Sequence, residues 1–412
     1  MWRRLPRVLS ERDYACLVGS GIAYGLGREM ALVAVGWQVY DISRNPFHLG
    51  LVGLAEFLPL LLFALPGGAI SDRFSRKLVY IGSLLLDAAI TALLLVVSLS
   101  GATALWPYLA LSFAIGCSAA LGNPAIRSMW PTLVPLPLLT SALALRSTVF
   151  QATFVIGPAI GGLLFAIRPE VVYGTSVVLM LIAAGFAAPI RPRAIEVGSA
   201  LSTTRLGSLL AGLRFVRRTP VLLGAITLDL VAVLFGGAVA LLPLFARDVL
   251  DSGPVGLGIL RSGPAVGALL AGAMLTRRPL QGGAGRKLLV VVAIFGASML
   301  VFGLSHTFLL SLAALAVGGF ADMISMNIRS MITALATPDA LRGRVNAVEM
   351  VFISASNELG AFESGVAAAL IGAVPAVVIG GSLTILCALV WPRLFPKMAR
   401  IDRLESLHPA AP

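Results

Sequence analysis

Eight of the nineteen carboxylates in this chain fall inside stretches apolar enough to cross a membrane: Glu29, Glu56, Asp87, Asp229, Asp322, Glu349, Glu358 and Glu363. A charge at bilayer depth costs roughly 2.5–3.5 kcal/mol on insertion scales unless it meets a partner or water. Ionisable groups kept at that depth mark the path of an ion or a polar solute. A buried carboxylate whose arginine partner leaves and returns alternates between binding and releasing a proton. Glu358 and Asp229 are the leading candidates for such exchange, with Asp322 next. Glu349 lies nearer the end of its stretch and fits a gate better, and Asp87 fits either role.

Arg28 is about fourteen residues into its stretch, roughly 20 Å at 1.5 Å per residue. Glu56 enters from the opposite side by about seven residues, roughly 10 Å. In a hydrocarbon core about 30 Å thick the two fall at similar depth and form a plausible ion pair; the alternative is that Arg28 faces Asp229, Asp322 or Asn357-Glu358 across a central cavity. Glu29 follows Arg28 by one residue, about 100° around a helix, so at most one of them points at a central cavity. Arg28, Glu29, Glu56 and Asn357 are therefore the candidate substrate contacts. Structural pairing between helices is the competing account of any one of these charges.

The elements that must position these groups follow from composition. Of 412 residues, 58% are hydrophobic and 12% charged, and the mean hydropathy is +0.95. Soluble domains carry about 25% charged residues. Apolar runs of about 20 residues recur along the whole length, at 15–40, 49–70, 78–99, 106–126, 140–166, 170–189, 220–246, 255–275, 287–305, 308–335, 344–372 and 374–395. The expected fold is an all-α polytopic membrane protein with twelve transmembrane helices in two pseudo-symmetric six-helix bundles. One bundle takes residues 1–189 and the other 220–412. Residues 190–219 link them and contain an amphipathic helix on the cytoplasmic surface, with Leu206, Leu209, Leu210, Leu213 and Phe215 near one face.

The net charge of +12 does not point to nucleic acid. Lysine and arginine concentrate in alternate loops, including Arg73, Arg76 and Lys77, Arg217 and Arg218, and Arg342 and Arg344. Only Arg44, Arg168, Arg247 and Arg261 count toward the other side. By the positive-inside rule both termini are cytoplasmic. The first apolar stretch is too long for a signal peptide and reads as a retained helix. Cys16, Cys117 and Cys387 are too scattered for a disulfide or metal framework. No metal or cofactor is expected.

The two halves echo each other. Ile126-Arg127-Ser128-Met129 recurs as Ile328-Arg329-Ser330-Met331, 202 residues on. GAISDRFSRKL at 68–78 is matched by GAMLTRRPLQGGAGRKL at 272–288. Internal repeats with the binding site where they meet are a common transporter plan.

The loop GGAISDRFSRK at 67–77 resembles the signature loop of the major facilitator superfamily, through Gly68, Asp72, Arg73, Arg76 and Lys77. Gly157-Pro158-Ala159-Ile160-Gly161-Gly162 resembles that superfamily's antiporter motif, without the glycines expected upstream. GNPAIRSMWPTLVP, ALALRSTVFQATFVIGPAIGG and LRGRVNAV resemble the enterobactin-exporter and macrolide-efflux subgroup. The resemblance implies alternating access, a monomer, and a cytoplasmic gate of Gly68, Asp72, Arg73, Arg76, Arg127, Arg329 and Glu349. There Asp72 would sit at the positive end of the eleventh span. It also implies that Gly157, Pro158, Gly161 and Gly162 form the bend and close packing of an exporter.

No G-x-x-x-x-G-K-[ST] phosphate loop is present, so a chain driving its own transport with ATP is not expected. The expected activity is proton-coupled export of a small amphipathic organic molecule, siderophore or drug-like. A metal-ion or lysolipid transporter of the same fold is the alternative within the class. A polytopic membrane enzyme lacks a nucleophile–base constellation, and a sensor without flux usually carries a further soluble domain. The partners expected are the substrate, protons and the lipid bilayer.

Overall fold

The computed structural model describes residues 7–191, 205–278 and 282–402, with the side chains of 7, 64–72, 205–206, 208–209 and 340 outside the description. Among the described residues there is helix and no strand. In lipid each backbone N–H and C=O must be satisfied within its own segment, and a helix does this. The helices are α1 (Arg12–Ser43), α2 (Pro46–Arg73), α3 (Arg76–Leu99), α4 (Trp106–Met129), α5 (Leu139–Ile167), α6 (Pro169–Ala187) and α7 (Arg205–Arg218). After them come α8 (Pro220–Phe235), α9 (Gly253–Arg277), α10 (Ala284–Leu304), α11 (Phe308–Ala336), α12 (Asp339–Ile371) and α13 (Ala373–Leu394).

Proline opens α2, α6 and α8, where its missing N–H costs nothing. Gly372, at φ 93°, makes the break between α12 and α13. Among the described residues, ten segments are long and apolar enough to cross a membrane. The 32-residue α1 and 33-residue α12 are long enough but more polar, and are not among the ten. They carry Arg28, Glu29, Glu349, Glu358 and Glu363. The stretch expected as one helix over 220–246 is broken: after Gly236 and Gly237 the chain continues as a 3-10 turn and a π turn to Val249. A Cβ on Gly237 would lie 2.5 Å from the carbonyl oxygen of Gly360, so the irregular turn rests directly on α12.

Two compact units emerge. The first holds Met1–Arg44, Ala55–Ala200 and Gly253–Ser262; the second holds Asn45–Leu54, Leu201–Ser252 and Gly263–Pro412. The first turns of α2 thus count with the second unit, and the first turns of α9 with the first.

In the first unit Tyr14, Leu17, Leu84, Met129 and Trp130 form a buried core. The Tyr14 hydroxyl donates to the Ala142 carbonyl at 2.6 Å, tying α1 to α5. Away from that core, Gln38 joins three helices: it accepts from the Tyr173 hydroxyl at 2.6 Å and donates to Ser98 at 2.8 Å.

In the second unit the core runs through Leu222, Ile328, Ile332, Val345, Val348 and Trp391. Phe215 and Val216 of α7 belong to it. A Cβ on Gly212 would lie 2.6 Å from the Arg344 carbonyl. Of the apolar side of α7, Leu213 and Phe215 pack on the protein, close to the start of α12. Its Leu210 alone is clearly exposed among the described apolar positions of that face.

Candidate functional site

In the first unit a run of polar contacts joins α1, α2 and α3. Tyr24 and Arg28 are one helical turn apart, so both face the same way. Arg28 Nη1 donates to the Tyr24 hydroxyl at 3.2 Å. Its Nη2 lies 3.6 Å from Glu56 Oε2, with the arginine side chain 30% exposed and the glutamate 12%. The Tyr24 hydroxyl in turn donates to Asp87 Oδ2 at 2.8 Å. Asp87 is 4% exposed, and its Oδ1 is buried without a hydrogen-bond partner. These side chains line a cavity with Thr91 and Met180. Its volume of about 10 Å³ is about the room one water needs.

Glu29 points elsewhere, as the 100° step requires, and is 4% exposed. It is seated on the glycine motif of α5: a Cβ on Gly157 would lie 2.6 Å from the Cβ of Glu29. One turn on, a Cβ on Gly161 would lie 2.9 Å from the Cα of Met30. Gly162 faces the other way, where a Cβ would lie 3.0 Å from the Cα of Gly258 in α9. Ser262, one turn after Gly258, donates to the Val155 carbonyl of α5. The motif therefore packs α5 on α1 through one pair of glycines and on the first turns of α9 through a third. Pro158 is buried inside α5.

Arg261 needs a correction. Charge counting put it in a loop with Arg44, Arg168 and Arg247, but it lies inside α9, two turns from the start. Together with Arg28 it is a cation acting on Glu29 and Glu56. Its position within the apolar run 255–275 was the signal that could have found it.

In the second unit Arg329 Nη1 and Asp229 Oδ2 meet at 2.5 Å, with side chains only 6% and 8% exposed. Arg329 Nε also donates to Ser325 Oγ at 3.3 Å, one turn away. Asp322 lies about one more turn along the same face of α11 and is exposed. Glu349 and Glu358 on α12 are half-buried, and Asn357 is exposed. A Cβ on Gly53 would lie 3.3 Å from Glu358 Oε2, so this carboxylate rests on the bare backbone at the start of α2.

Arg127, the repeat counterpart of Arg329, is exposed, as is Arg73; Arg76 is half-buried. Gly68 and Asp72 fall on α2, where side chains lie outside the described residues. Among the described residues, no group of three or more His, Cys, Asp or Glu side chains is arranged to hold a metal ion.

The arrangement is suited to moving charge rather than to covalent chemistry. Each unit holds an arginine–carboxylate pair inside apolar helices, with further carboxylates nearby. The comparisons give transporters. The chain is 23% identical over 373 residues to macrolide efflux protein A of Streptococcus pyogenes, covering 88% of this chain and 91% of that one. It is 27% identical over 407 residues to the enterobactin exporter EntS of Citrobacter koseri, covering 92% and 91%. The crystal structure of the nucleoside transporter NupG shares the fold, with a TM-score of 0.73 at 15% identity over 93% of this chain and 99% of that one. A profile of the family described as transmembrane secretion effector matches residues 9–411. The buried charges, the helical fold and that match lead to one conclusion: this chain is a membrane transporter, a member of the transmembrane secretion effector family within the major facilitator superfamily.

Proposed function

We propose that the protein is a proton-coupled exporter of a small amphipathic organic molecule, siderophore- or drug-like, working by alternating access. Twelve helices cross the inner membrane of a bacterium in this reading, α1 and α12 among them, and both termini are cytoplasmic. The protein works as a monomer. The observation that carries the export direction is the likeness, over about nine-tenths of each chain, to proteins named for the efflux of a macrolide and the export of enterobactin. Both relatives carry names of organic molecules with polar groups on a larger body. Arginine and carboxylates held inside apolar helices suit such a solute.

Proton coupling is supported by the carboxylates of the second unit. Protonating Asp229 would release Arg329 from its partner, and a freed buried arginine must find another carboxylate; Asp322 and Glu349 are the ones near it. Glu358 is the carrier on α12. Gly68, Asp72, Arg73, Arg76, Arg127 and Glu349 act in the gate on the cytoplasmic side. Gly157, Pro158, Gly161 and Gly162 form the hinge of α5. Arg28, Glu56 and Asn357 meet the substrate, and Glu29, seated on α5, does not.

The test is uptake of radiolabelled erythromycin, and separately of enterobactin, into proteoliposomes under an imposed pH gradient. One of the two is expected to accumulate with the wild type. Glu358→Gln is expected to keep binding but to lose gradient-driven accumulation. Full gradient-driven transport by that variant eliminates Glu358 as the carrier.

A further inference from the structure

The first unit has an unbalanced set of charges. Arg28 acts on Glu29, Glu56 and Asp87, and Arg261 acts on Glu29 and Glu56. Fully ionised, the set carries one net negative charge in an apolar bundle, where uncompensated charge is strongly disfavoured. One proton makes it neutral. The contacts indicate which carboxylate holds it. Glu56 touches Arg28 directly. Glu29 lies within the influence of both arginines. Asp87 touches no cation: Arg28 acts on it from beyond the Tyr24 hydroxyl, and its Oδ1 is buried without a hydrogen-bond partner. A buried carboxylate oxygen left bare loses its hydration without a replacement and is destabilising. An O–H there, with one water in the cavity to accept from it, removes the defect.

The other groups packed around Asp87 offer no competing partner. Thr91 on α3 is bonded to Met180 of α6. Ser118 on α4 faces Asp87, but its hydroxyl proton goes to the Ser83 carbonyl at 3.0 Å, so towards Oδ1 its oxygen is left to accept rather than donate. On α1 the facing groups are Tyr24 and Arg28; on α2, Glu56.

We infer that the first unit carries a transported proton of its own, on Oδ1 of Asp87 in the cavity beside Arg28. The inference rests on the proton-coupled reading above and adds a second locus to it, in the other unit from Glu358. Loading takes one proton from hydronium, leaves water, and forms one O–H bond at Oδ1. The Tyr24 hydroxyl keeps its proton and continues to donate to Oδ2. Release returns the proton to water and leaves the set one charge negative. Arg28 is the group placed to respond, since it already touches both Glu56 and the hydroxyl that leads to Asp87. Emptying the site therefore pulls α1 between α2 and α3.

The test uses the full-length protein in lipid nanodiscs and reads the infrared carbonyl stretch of a neutral carboxylic acid, in ordinary and heavy water. Wild type is expected to show such a band at neutral pH. Asp87→Asn should lose it and Glu358→Gln should keep it. Tyr24→Phe should shift its frequency, because the donor to Oδ2 is gone. A band that survives Asp87→Asn but disappears in Glu56→Gln overturns the assignment, and so does a wild type without a band. The second arm is gradient-driven uptake of whichever of erythromycin and enterobactin the wild type accumulates, where Asp87→Asn should lose accumulation yet still exchange labelled for unlabelled substrate. If the wild type accumulates neither, the substrate reading fails while the infrared arm still decides the proton site.

Discussion

The Arg329–Asp229 pair permits a quantitative prediction because the same protein carries its own control. Arg329 and Asp229 meet at 2.5 Å with 6% and 8% of their side chains exposed. Arg342 and Asp339 meet at 2.7 Å with 49% and 89% exposed. The chemistry and distance are nearly the same, and burial differs. Removing one partner of a buried pair leaves a charge that water cannot reach, at about 3–5 kcal/mol. Ser325 still accepts from Arg329 Nε in the variant, so Asp229→Asn should fall near the low end, about 3 kcal/mol, or roughly a hundredfold in the folding equilibrium. Asp339→Asn should cost at most about 1 kcal/mol, since exposed pairs are screened. Replacing both buried partners, Asp229→Leu with Arg329→Met, should recover most of the loss, because an apolar pair leaves nothing unsatisfied. The assay is denaturant unfolding of purified protein in micelles, followed by tryptophan fluorescence, for the two singles, the double and the control. Equal costs for Asp229→Asn and Asp339→Asn would refute the argument that burial gives this pair its weight. A double variant no more stable than Asp229→Asn would refute the charge-desolvation account.

Two further outcomes follow from packing and capping. Gly157→Leu drives a side chain into the Cβ of Glu29; overpacking of this kind costs about 1–3 kcal/mol, and thermal stability should fall in the order Gly, Ala, Leu. An unchanged melting temperature in Gly157→Leu would mean that α1 and α5 do not pack as described. At the start of α10, Asp402 Oδ1 accepts from the Gly283 N–H at 2.7 Å, and the Asp402 and Ile401 carbonyls accept from the next two N–H groups. Asp402→Ala should therefore cost about 1 kcal/mol, as the loss of a helix cap does, with faster amide exchange confined to the first turn of α10. Exchange unaltered there would show that the carbonyls alone hold the helix end.

The sequence by itself determined that this is a helical membrane protein with polar groups inside. Apolar runs set the helices, because lipid leaves the backbone no other partner. Loop signatures and the glycine motif led to the superfamily. The depth of Arg28 and Glu56 followed from counting residues at a fixed rise along each helix, and the step of 100° separated Glu29 from Arg28. These properties are local, or periodic along one helix.

Tertiary structure decided which charges meet. Repeat symmetry makes Arg127 and Arg329 equivalent, yet one is exposed and the other is held by Asp229 a hundred residues upstream. No local pattern carries that difference, since it depends on whether α8 happens to present a carboxylate at the same height. Arg261 was counted with loop charges because charge counting registers sign and not neighbours, whereas its surroundings are fixed by Gly258 packing on Gly162. The bare oxygen of Asp87 is likewise a property of five helices at once. A sequence records where each charge lies along its helix; which side chains share a cavity depends on how the helices rotate and pack, and in this chain the small residues set that rotation.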